Sequence, residues 1–114
     1  MSLNIDDVVG VHARAMALHI QRSEILAANL ANESTPGFQA RDLDFASEMR
    51  RQEGPGAGAV QLKYRVPTQA SQDGNTVELS VEQTAFSKAT QDYQTSLTFL
   101  NMKLRGLKQA IEGR

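Results

Sequence analysis

The chain has 114 residues with a formal net charge of −1 and no cysteine, which bounds it to one domain and excludes disulfides and thiolate metal sites. Its 12 basic and 13 acidic residues leave no electrostatic footprint for nucleic acid or an anionic membrane. Aromatic residues make up 5% and tryptophan is absent, so any core is thin, as short chains bury a small share of their surface.

The first element in chain order is a long amphipathic helix from about Asp7 to Asn32. Val8, Val11, Ala15, Leu18 and Ile25 recur at helical spacing, and Val9, Ala13, Met16, Ile20, Ala27 and Leu30 make an adjacent stripe. Asn4 or Asp6 is placed to cap its start. Thr35 precedes a proline and is biased away from helix, so the helix ends before it. Pro36 and Gly37 then suit the two central positions of a type II turn, with Phe38 closing it.

Residues 42–52 predict a short helix with Leu43, Phe45, Ala46 and Met49 on one side, and a Gly/Pro-rich linker follows at 54–59. From Gln61 to Val66 the chain alternates Leu62, Tyr64 and Val66 against Lys63 and Arg65, the period of a strand with one buried face. Asp73, Gly74 and Asn75 read as a turn. Val77, Leu79 and Val81 read as a second short strand or an extended lead-in.

Ser80 to Gln83 fits a capping box that launches the second long helix. There Phe86, Tyr93, Leu97, Leu100, Leu104, Leu107 and Ile111 form a seam whose later steps alternate four and three, as in a coiled coil. The fold class expected is therefore mainly α: two long terminal helices pairing as a coiled coil, with a small extended or β middle segment and a Gly/Pro-rich linker. As one structural unit it divides into residues 1–38 (helix and turn), 39–79 (short helix, linker and middle segment) and 80–114 (second long helix). Such a pair leaves one flank of each helix bare, and Leu26, Leu30, Phe99 and Met102 lie off the narrow seams as candidates for contacts between subunits.

No residues are assigned to catalysis, a cofactor or a metal, and the chain is read as not an enzyme. His12 and His19 lie two helical turns apart, roughly 10 Å, too far to share one ion. Asp42 and Asp44 flank Leu43 and read as solvated positions around a buried leucine. Asn29 and Asn32 read either as caps of the first helix or as donors to a neighbouring backbone.

Asn29-Leu-Ala-Asn32 followed by Thr35-Pro-Gly-Phe38 resembles the N-terminal signature of bacterial flagellar rod and hook proteins, the axial family. Glu33-Ser34 departs slightly from it, since related sequences often carry a small residue and Asp between the second Asn and the Thr. The stretches Tyr64 to Pro67, Asp73 to Val77 and Tyr93 to Ile111 resemble the small proximal-rod members, so the likeness covers nearly the whole chain outside residues 52–60. The resemblance implies a self-assembling structural subunit of the proximal rod that transmits torque. It implies a place in the basal body, in the periplasm, reached through the flagellar type III export apparatus without a cleaved signal peptide. The implied partners are further copies of the chain, the rod adapter FliE and other rod proteins such as FlgC and FlgF, with no nucleic acid and no small-molecule substrate. Leu18, Ile25, Leu26, Asn29, Asn32, Tyr93, Leu97, Leu100, Leu104 and Leu107 are the expected assembly interface, and Thr35, Pro36, Gly37 and Phe38 the structural turn. The competing readings are another small rod protein such as FlgC, or a cytoplasmic helical adaptor or export chaperone.

Overall fold

A computed structural model describes residues 5–53 and 58–113 of the chain. Its elements run α1 (Ile5–Ala31), β1 (Arg41–Asp42), α2 (Phe45–Glu53), β2 (Lys63–Tyr64) and α3 (Leu79–Glu112). Asn4 and most of the Gly/Pro linker lie outside the described residues. The molecule is mainly helical, with its two long terminal helices packed together. They run antiparallel: Asn29 near the end of α1 bonds Glu82 near the start of α3, and His19 shares a crevice with Lys88 and Asp92. At 64 × 29 × 18 Å the molecule is a rod set by the length of α3; 34 residues of helix reach roughly 51 Å.

Two stripes of apolar residues bring the long helices together, yet the buried apolar set is small. Among the described residues it consists of Leu18, Leu26, Ala40, Leu43 and Ala89. All lie toward the turn end of the pair or under the middle segment. Further along α3 the seam opens to solvent at Leu97, Leu104 and Ile111, and Phe99 and Met102 are exposed off it.

The turn after α1 forms as its residues demand. The Phe38 N–H donates to the Thr35 carbonyl at 3.2 Å across Pro36 and Gly37, and Gly37 has φ +75°. A side chain there meets nothing within 4 Å, so substitution costs backbone strain alone. Gly37→Val is expected to lower stability by about 1–2 kcal/mol, and Gly37→Asn by clearly less because asparagine tolerates this conformation. Urea titration of both variants checks it; equal losses would show that φ is not the constraint.

Four local expectations are corrected. Helix α2 starts at Phe45 rather than 42, because Asp44 is its cap, accepting the Ser47 N–H at 3.3 Å. Helix α3 has no capping box at Ser80: its N-cap is the extended Glu78, which makes no side-chain cap bond and instead accepts from the Thr68 N–H and hydroxyl. Val77 belongs to the extended lead-in given as one of two readings, whereas Leu79 and Val81, expected to share it, already lie inside α3. The strand at 61–66 shrinks to Lys63–Tyr64, paired antiparallel with Arg41–Asp42, and its orientation is the reverse of that expected. Leu62, Tyr64 and Val66 are exposed, Val66 at 85%, while Arg65 turns inward. A charged residue wins the inner face because two carboxylates wait for it there.

Candidate assembly site

Arg22, Asn29, Asp42, Arg65 and Glu82 form one polar network beneath the two-stranded ribbon. Glu82 has no solvent exposure and Asn29 only 1%, so each must be hydrogen-bonded to be tolerated. The Asn29 amide behaves like an added strand. Its Nδ2 donates to the Arg41 carbonyl at 2.7 Å while its Oδ1 accepts the Arg41 N–H at 3.1 Å. The same Nδ2 also donates to Glu82 Oε2 at 2.9 Å. Arg65 then bridges the two acids, with Nε 2.6 Å from Glu82 Oε1 and an Nη 2.8 Å from Asp42 Oδ2. Arg22 closes the chain from α1 with a two-pronged contact on Asp42, at 3.0 and 3.1 Å. Asp42 is therefore an ion-paired, half-buried residue and not the solvated position expected from its neighbour Leu43; Asp44 is exposed.

A second polar knot holds the turn. The buried Asn75 side chain lies 2.7–2.9 Å from the carbonyl oxygens of Asn32, Glu33 and Thr35, and so ties the turn after α1 to the middle segment. Asn32 contributes locally, donating to the Ala28 carbonyl and accepting from the Thr35 hydroxyl. The Gly37 N–H reaches the Asp73 carbonyl at 2.9 Å and the Ala40 N–H the Thr76 hydroxyl at 2.7 Å.

The residues expected at the interface thus fall into two groups. Leu18, Leu26 and Asn29 are buried within the chain, with Ile25 and Asn32 half-buried beside them. Along α3, Tyr93, Leu100 and Leu107 are half-buried, while Leu97 and Leu104 are exposed. Thr35, Pro36 and Gly37 are exposed and Phe38 is half-buried. Glu82, Arg65, Asp42, Arg22 and Asn75 were not among the expected residues. The signal for three members of the network lies in the seams themselves. Arg22 and Asn29 continue the three-four spacing through Ala15, Leu18 and Ile25, and Glu82 sits four residues before Phe86. Charged or amide side chains at seam positions require partners.

The network makes stability depend on pH in two windows. Burial pushes the Asp42 carboxyl up, but the bonds from Arg22, the Leu43 N–H and Arg65 outweigh it and hold it below the usual carboxylate range. Its contribution is present above about pH 4 and is lost as pH falls toward the lowered value. His19 is buried and stacked on Phe45, with ring centroids 4.3 Å apart. Burial, with Arg22 and Lys88 nearby and only partly opposed by Asp92, lowers its pKa. The unfolded chain binds that proton more readily, so stability also declines as pH drops from about 6.5. Urea titrations across pH 3–8 should show both losses. Asp42→Asn should shrink the lower loss, to which Glu48 with its Arg51 partner also contributes, and His19→Gln the upper one; unaltered profiles would refute the assignment. Among the described residues no three His, Asp or Glu side chains gather as a metal-binding set, and no helix is long and apolar enough to cross a membrane.

The family model for flagella basal body rod proteins matches residues 10–39, the second half of which contains Asn29, Asn32 and the Pro-Gly turn. A flagellar basal body rod protein FlgB from Cereibacter sphaeroides is 42% identical, covering 94% of this chain and 95% of that protein. The chain belongs to the FlgB family of flagellar rod proteins. The relatives from Salmonella typhimurium, at 40% identity over 96% of both chains, and Escherichia coli, at 37% over 95% of both, carry the same name. The matched segment supplies Arg22 and Asn29 of the polar network and the Pro36-Gly37 turn, while Asp42, Arg65, Asn75 and Glu82 come from outside it.

Proposed function

We propose that this chain is a structural subunit of the proximal flagellar rod that self-assembles through its terminal helices and transmits torque along the shaft. The observation that carries the reading is the bare apolar seam of α3. Leu97, Leu104 and Ile111 remain exposed along it, and Phe99 and Met102 are bare on the opposite flank of the helix. Large apolar side chains left bare on a small chain mark a contact with another macromolecule. Membership in a rod family makes the neighbouring rod subunits its natural cover. In this reading, Leu18, Leu26 and Asn29 shape the subunit, whereas Leu97, Leu100, Leu104 and Leu107 meet neighbours. Those neighbours are other copies, the adapter FliE and the rod proteins FlgC and FlgF. The subunit reaches its place in the periplasmic rod through the flagellar export apparatus.

Electron microscopy of basal bodies from a strain lacking the gene tests this. Membrane rings without a rod, restored by supplying the gene, are expected. Intact rods in that strain would overturn the proposal.

A further inference from the structure

The middle ribbon carries an apolar row that the terminal helices do not touch. Leu62, Tyr64 and Val66 share its outer face, Tyr64 at 61% exposure, and the Arg41 guanidinium lies 5.3 Å from the Tyr64 ring centroid. Among the described residues the Arg41 side chain has no carboxylate partner; only its backbone enters the Asn29 network. The row is therefore an unpartnered apolar face with a free cation beside it.

The complementary surface is on α1. Residues 23–40 contain no Lys or Arg. Within them Glu24, Ala27, Ala28 and Ala31 of α1 are all exposed, which makes a shallow floor of small side chains with a carboxylate at one end. At 100° per residue this floor lies opposite the face of Arg22, Leu26 and Asn29 that supports the ribbon. A chain cannot fold its own ribbon onto it.

We infer that the ribbon face of one copy, with Leu62, Tyr64 and Val66 beside Arg41, docks on the face of α1 that carries Glu24, Ala27, Ala28 and Ala31 in a second copy. This rests on the self-assembly proposed above and adds a contact outside the α3 seam. Apolar side chains meet an alanine floor, and Arg41 meets the Glu24 carboxylate, which has no cation partner among the described residues. Because the two patches differ and lie on opposite sides of α1, the contact is heterologous. Repetition leads to an open or ring-shaped assembly and not to a closed two-fold dimer.

The chain has no cysteine, so a disulfide test is clean. The full chain carrying both Tyr64→Cys and Ala28→Cys should, on oxidation after assembly, give a ladder of linked oligomers. Either single variant, with no cysteine facing it across the contact, should stay unlinked. In parallel, Arg41→Glu should cut polymer yield at least tenfold by light scattering and negative-stain microscopy, and adding Glu24→Arg should restore it. Polymers that form without a ladder, or that ignore the charge reversal, would overturn this contact and leave self-assembly standing. An unaltered chain that stays monomeric at every concentration would overturn both.

Discussion

Replacing Glu82 with alanine is expected to remove about 3–5 kcal/mol of folding stability, the cost of breaking a buried ion pair from one side. Glu82 has no exposure and faces two donors, the Arg65 guanidinium and the Asn29 amide. Truncating it strands both. For a chain this small, with five buried apolar residues among those described, that loss is a large fraction of the total. Urea denaturation followed by circular dichroism measures it directly. Glu82→Gln should cost less, because an amide still accepts from one donor. The double variant Arg65→Met with Glu82→Leu should recover much of the stability, since two apolar groups leave less charge unpaired than one orphan. If Glu82→Ala costs under about 1 kcal/mol, the value of a typical single hydrogen bond, the network is not what holds the ribbon to the helices.

The second large effect concerns assembly and should leave the fold nearly untouched. Leu104 is 44% exposed on the open part of the α3 seam. Leu104→Asp should therefore change the stability of the isolated chain by less than about 1 kcal/mol, made up of helix propensity and a partly covered side chain. The same charge placed inside a subunit contact would be desolvated without a partner. Rods and motility should be lost in a strain that makes only this variant. Leu26→Ala gives the contrast, because Leu26 is fully buried within the chain and should lose about 3 kcal/mol or more in the monomer. Normal swimming with Leu104→Asp would remove Leu104 from the interface.

The terminal helices and the Pro36-Gly37 turn were legible because their causes are local. Helical periodicity, a proline that bars helix before it and a glycine suited to positive φ all act within a few residues. The ribbon was not. Its alternation of Leu62, Tyr64 and Val66 fits a buried apolar face equally well in either orientation. What decides the matter is Arg65 meeting Asp42, 23 positions away, and Glu82, 17 positions away. Strand β1 was hidden for the same reason, since two residues of strand carry no period of their own. The asparagine signature revealed the family while concealing its use. A cap and a subunit contact were both plausible for Asn29, and its partners Arg41 and Glu82 are visible only once the chain is folded.

The separation between Asn29 and Glu82, 53 positions, has a consequence for how the chain comes to be. A polypeptide made N-terminus first presents Arg22, Asn29, Asp42 and Arg65 to water one after another, each with nothing buried to bind. The acid that joins them arrives after roughly seven tenths of the chain has been made. Closing so distant a pairing means that loop entropy must be overcome before the contacts reward it. Folding is thus expected to wait for residues near 82 and then to engage α1, the ribbon and α3 together. The knot is thus expected to act as a timer, leaving an unfinished chain loose until residues near 82 are present.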